Sequence, residues 1–191
     1  MADQILSPLG WKLREGPADI YSKLVVTSGT PAKTTELLGH VTAEELLVAK
    51  PKSSAYAEAL LAGLWLWHDG LEECHRIVQG SADSGATPTY SFWHAIMHRR
   101  EGDFSNSKYW YARAAGHPVL QSLQAKAGPI VNQAPADKTL LRLTTGAWNP
   151  NVFVDFVESI DGNENNPLHE IAVELQRTEW TALFEHCARL A

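Results

Sequence analysis

The chain has 191 residues, 45% of them hydrophobic and 20% charged, and a formal net charge of −6. That length and balance suit one folded domain with its own apolar core and speak against a disordered segment. The acidic balance, with no basic cluster denser than Arg99-Arg100, speaks against a general nucleic-acid or acidic-membrane binder.

In chain order, the opening MADQILSPLGWKLREGP has Asp3 early and no basic start leading into an apolar run. It does not read as a signal peptide, and residues 1–29 receive no assigned element. Beyond them the punctuation is helical. A proline at the first helical position loses no needed N–H and brings a helical φ; behind a side chain that can cap, it marks a start. This occurs at Thr30-Pro31, Thr87-Pro88, Asn149-Pro150 and Asn166-Pro167. Thr42 with Glu45, and Asp69 with Glu72, have capping-box spacing. Gly39, Gly80, Gly102, Gly116 and Gly162 stand where left-handed C-terminal caps are wanted. Between these marks the expected helices cover roughly 31–38, 42–50, 54–68, 70–79, 88–101, 103–115, 118–127, 150–161 and 167–190. Gly128-Pro129 and Ala134-Pro135 read as loops, around a short helix near 138–145. No segment alternates with β-branched enrichment, so the expected fold is all-α, a single domain over 1–191.

The longest apolar stretch, Ala55 to Trp67, is interrupted by Glu58 and Gly63 and is too short to span a bilayer. Cys74 and Cys187 lie far apart, each inside an apolar helical pattern, as buried free thiols do. The expected location is cytoplasmic, with no membrane and no nucleic-acid partner.

A shift of 33 residues places Ala62 on Ala95, Leu71 on Phe104, Cys74 on Ser107 and Ile77 on Trp110. In each copy a helix ends at a glycine turn, His68-Asp69-Gly70 or Glu101-Gly102-Asp103, and a second helix follows. This resembles a tetratricopeptide-type helical hairpin over residues 55–115, without the family's usual Leu-Gly pair on the first helix, where the second copy has His94-Ala95. The resemblance implies hairpins at about 55–79 and 88–115, closed by capping helices, since two units are too few for a free-standing array. The stretch SFWHAIMHRREGDFSNSKYWYARAAGHP also resembles the central block of a family of hypothetical proteins, and LQRTEWTALFEHC its last helix. That resemblance implies a helical domain over roughly 55–190 and supplies no catalytic residues.

The chemistry-bearing residues concentrate on helix 88–101. His94, His98 and Glu101 stand at i, i+4 and i+7 and project from one face, a spacing at which two imidazoles can share a metal ion. Ala95 replaces the glutamate base that a zincin would need after the first histidine. His68 or His75, which flank the preceding turn, could complete such a set. Beside that face lies a polar turn of Arg99, Arg100, Glu101, Asp103, Asn106 and Lys108, bordered by Trp93 and Tyr109, which would suit a small polar ligand or a peptide carboxylate. Seven aromatic residues crowd this hairpin, and Phe104 and Trp110 read as core. On the last helix Ile171, Leu175, Leu183 and Cys187 form the buried side, while Glu170, Glu174, Arg177 and Glu185 face water and Trp180 anchors.

The leading expectation is a non-catalytic helical-repeat protein binding a peptide, protein or small polar ligand at Trp93, His94, His98, Arg99, Arg100, Glu101, Asp103, Asn106 and Tyr109, without a cofactor. One alternative is a hydrolase dependent on a divalent transition metal held by His94, His98 and Glu101 with His68 or His75. The other is a homodimerisation module.

Overall fold

The computed structural model describes residues 5–17, 20–80 and 86–191. The reading of the N-terminal stretch around Asp3 falls outside them. Helices run as α1 Pro8–Glu15, α2 Ala32–Leu38, α3 Ser54–Trp67, α4 Leu71–Gln79, α5 Thr87–Glu101, α6 Phe104–Arg113, α7 Pro118–Val131, α8 Lys138–Thr144, α9 Pro150–Ile160 and α10 His169–Leu190. Among the described residues β pairing is limited to an isolated bridge between Leu6 and Leu47, so the fold is all-α. No helix is long and apolar enough to cross a membrane among those residues.

Capping chemistry explains several of these boundaries. The Asn149 side chain accepts from Asn151 N–H at 3.0 Å, and Pro150 opens α9 as its proline predicts. Ser7-Pro8 does the same for α1, accepting from Gly10 N–H at 3.1 Å. Gly102, Gly116 and Gly162 adopt the left-handed conformation, whereas Gly39 and Gly80 end their helices right-handed. Asp69 is no cap: α4 starts behind Gly70, and Asp69, at φ +61°, turns its carboxylate to Arg100.

Two expectations fail for tertiary reasons. The helix expected at 42–50 shrinks to one 3-10 turn, Glu44–Leu46. Its Thr42–Glu45 box forms, with Glu45 accepting from Thr42 N–H and hydroxyl at 2.8 and 2.9 Å. However, Ser7 takes the Glu45 and Leu46 carbonyls that a longer helix would use, and Val48 pairs with Ile5. Conversely, α7 runs through Gly128-Pro129, because Leu123, Ala127, Ile130 and Val131 continue its buried stripe.

One continuous apolar core receives residues from every helix. Successive helices α3, α4, α5 and α6 pack each on the next, α3 also packs on α5, and α10 lies across α3, α7 and α9. Ala62, Ala95, Cys74 and Ser107 are fully buried within the first four. The Trp180 ring stacks on Trp67 at 4.0 Å and on Phe184 at 4.6 Å, and its indole N–H donates to the Gly63 carbonyl at 2.8 Å. A Cβ at Gly63 would meet the Trp93 ring at 2.7 Å, so only glycine permits this approach of α3 and α5. Both cysteines are free and buried, and burial drives each thiol above its ordinary pKa, Cys187 to about 12.

Candidate metal centre

Helix α5 presents His94 and His98 one turn apart, and the packing of α4 on α5 brings His75 to the same place. One ring nitrogen from each of His75, His94 and His98 lies within 4.8 Å of the other two. The His94 ring stacks on Trp110 at a centroid distance of 3.8 Å and on His98 at 4.7 Å, and His75 meets it edge-on at 4.8 Å. His94 is 2% exposed, yet neither of its ring nitrogens has a hydrogen-bond partner. A neutral imidazole always carries one donor and one acceptor, so a buried ring with neither satisfied is unfavourable by about 1–3 kcal/mol per group. Burial, and then the adjacent His98 and His75, hold its pKa down at about 3; burial also lowers that of His75. These are neutral rings with lone pairs, the form that ligates metals.

His98 is held from both sides. Its Nδ1–H donates to Glu101 Oε1 at 2.5 Å, and its Nε2 accepts from the Asn106 amide at 3.0 Å. A carboxylate behind a ring in this way fixes the tautomer and directs the opposite nitrogen outward. Glu101 thus stands as the hydrogen-bond partner of His98 Nδ1. Asp103 lies within 4.8 Å of His98 and Glu101, but caps α6 by accepting from Asn106 N–H at 3.1 Å, a bond that lowers its pKa. A tetrahedral site with metal–nitrogen bonds of about 2.05 Å has nitrogen–nitrogen edges of about 3.4 Å. Occupancy would thus draw the imidazoles together and displace the Asn106 amide from His98. His75, only partly buried, has the most room to move.

The other expected site residues separate. His68 is not part of the cluster: its Nε2–H donates to the Leu13 carbonyl at 2.7 Å, tying α1 to the α3–α4 turn. Trp93 is wholly buried against Gly63 and Trp180. Arg99 and Arg100 leave the polar turn entirely, each 0% exposed. Arg99 donates to Glu179 at 2.6 Å and to the Tyr111 hydroxyl at 2.7 Å; Tyr111 in turn donates to Glu179 at 2.8 Å. Burial alone would push the Arg99 pKa down, and the Glu179 carboxylate more than offsets it. Arg100 donates to the Leu66 and Lys23 carbonyls and to Asp69. Neither guanidinium can reach a ligand. Lys108 pairs with Asp155 at 2.5 Å, and Tyr109, 54% exposed, stands beside Arg113. The surface that remains is His75, Glu101, Asp103, Asn106 and Tyr109, beside the buried His98.

Sequence reasoning did not anticipate Glu179, the buried partner of Arg99. A signal was present: Glu179 lies one turn from both Leu175 and Leu183, inside the apolar stripe of α10. Comparison with protein-family models, with curated proteins and with solved structures finds no match to this chain.

Proposed function

We propose that this helical protein binds one divalent transition-metal ion through His75, His94 and His98, with Glu101 orienting His98. The observation that carries the reading is the buried His94 ring, whose two unpartnered nitrogens lie beside the rings of His75 and His98. An ion accepts the His94 lone pair that no protein donor meets, and nitrogen-only ligands suit zinc, copper or nickel better than magnesium or calcium. On this reading the stacked helices are a non-catalytic scaffold and the ion is their small ligand. A hydrolytic role is less well supported, because the two nearest carboxylates already hold His98 and the start of α6.

The test is metal content and thermal melting of the protein purified without a histidine tag. One equivalent of zinc should bind and raise the melting temperature, since an ion at a hundred times its Kd stabilises the native state by about 2.7 kcal/mol. Replacing both His94 and His98 with Ala should abolish that increase. A parent protein whose melting is indifferent to zinc and to chelator would refute the proposal.

A further inference from the structure

The histidine cluster lies beneath the surface, so an ion needs a route to it. His94 is 2% and His98 5% exposed, and neither ring is open to a hydrated cation arriving from solvent. At the edge of the cluster stand partly buried His75 and two exposed carboxylates, Glu101 at the end of α5 and Asp103 just before α6. One ligand atom from each of His98, Glu101 and Asp103 lies within 4.8 Å of the other two. His98 therefore belongs to two groups of ligating atoms, one with His75 and His94 and one with the carboxylates.

The outer group carries charge that nothing neutralises. Among the described residues neither carboxylate forms an ion pair with a lysine or arginine; Glu101 meets His98, and Asp103 accepts from Asn106 N–H and the Ser105 hydroxyl, both at 3.1 Å. Those bonds use Glu101 Oε1 and Asp103 Oδ1, one oxygen of each carboxylate. Glu101 also interacts electrostatically with His75, and Asp103 with His98. A divalent ion arrives with a water shell that must be stripped before a buried nitrogen can bind it. Carboxylate oxygens are hard, charged ligands that replace such water at the surface. Charge of one sign at the mouth of a site also speeds entry of the opposite charge, by roughly 10–1,000-fold. Inside, the unpartnered nitrogens of His94 supply the pull.

We infer that Glu101 and Asp103 are the loading step of the histidine site, capturing a free divalent cation and passing it to His98, His75 and then His94. This inference rests on the metal reading above. Glu101 thereby has two tasks: it takes the ion at the surface and, once the ion is seated, returns to Nδ1 of His98.

The experiment is stopped-flow absorption of the full, untagged chain mixed with cobalt(II), whose visible bands intensify when imidazoles replace water. The double variant Glu101→Gln, Asp103→Asn removes both charges but keeps an acceptor for His98 and a cap for α6, since asparagine caps as well as aspartate. It should melt with the parent by circular dichroism. Cobalt entry should slow about tenfold at low salt, and the difference should shrink as salt screens the parent's carboxylates. Release into excess chelator should not become faster, because the same mouth serves both directions. The variant Glu170→Gln, Glu174→Gln makes the same change in net charge at exposed positions of α10 and should load at the parent's rate. Unchanged entry in the first variant, equal slowing in the second, or an affinity loss carried by faster release alone would overturn the inference. A parent chain that develops no cobalt bands would refute the metal site itself, and the inference with it.

Discussion

The ion pair between Arg99 and Glu179 gives the sharpest quantitative prediction about the core. Both side chains are 0% exposed, and the Tyr111 hydroxyl closes the triad by accepting from Arg99 and donating to Glu179. Replacing Glu179 with Gln preserves shape and removes the charge, leaving a guanidinium in the interior with no counter-ion. Breaking a buried pair from one side costs about 3–5 kcal/mol. In a chain of this size each kcal/mol moves the melting temperature by roughly 2–4 °C, so the variant should melt roughly 6–20 °C below the parent. The triple variant Arg99→Met, Glu179→Met, Tyr111→Phe removes charges and hydroxyl together and leaves nothing unpaired. It should recover most of that loss, because desolvating two charges offsets much of what their attraction returns. Circular dichroism melts and denaturant titrations of the three proteins measure both effects. A Glu179→Gln variant that melts with the parent, or a triple variant as weak as the single one, would refute the account of this triad.

Two further outcomes are expected. Gly63→Ala should gain about 1 kcal/mol of helix propensity yet end less stable in urea titration, because its Cβ would lie 2.7 Å from the Trp93 ring and overpacking costs about 1–3 kcal/mol; a more stable variant would contradict the close α3–α5 approach. His117 accepts from Val119 N–H through Nδ1 and meets the Thr89 hydroxyl through Nε2; burial, and then His186, lower its pKa to about 4. The unfolded ring binds protons first, so its contribution is complete above pH 6.5 and is lost as pH falls toward about 4. His117→Asn keeps a capping acceptor that does not titrate and should flatten the stability profile across that window; an unchanged profile would exclude His117 as its source.

Much of the architecture was legible because helix boundaries are local chemistry. Asn149-Pro150 and the left-handed glycines at 102, 116 and 162 act within one turn of themselves. The failures were long-range. Nothing near Glu45 announces that Ser7 will take its carbonyl, and nothing near Pro129 announces the stripe that carries α7 past it. At the site, His94 and His98 were readable from their i, i+4 spacing. The choice between His68 and His75 was settled only by the packing of α4 on α5, and by the Leu13 carbonyl that captures His68. Arg99 and Arg100 were misplaced because two arginines before Glu-Gly-Asp look like a solvated turn. Their burial rests on partners remote in sequence, Glu179 for Arg99 and the Leu66 and Lys23 carbonyls for Arg100.

The central claim is that three imidazoles hold one ion between α4 and α5. Anomalous diffraction at the zinc edge from a crystal of the untagged protein grown with zinc tests it most directly. The account predicts one strong peak about 2.0–2.1 Å from a nitrogen of each of His75, His94 and His98, with Glu101 bonded to His98 and not to the metal. Zinc found only at other residues, or a histidine cluster left unchanged with no peak, would contradict it.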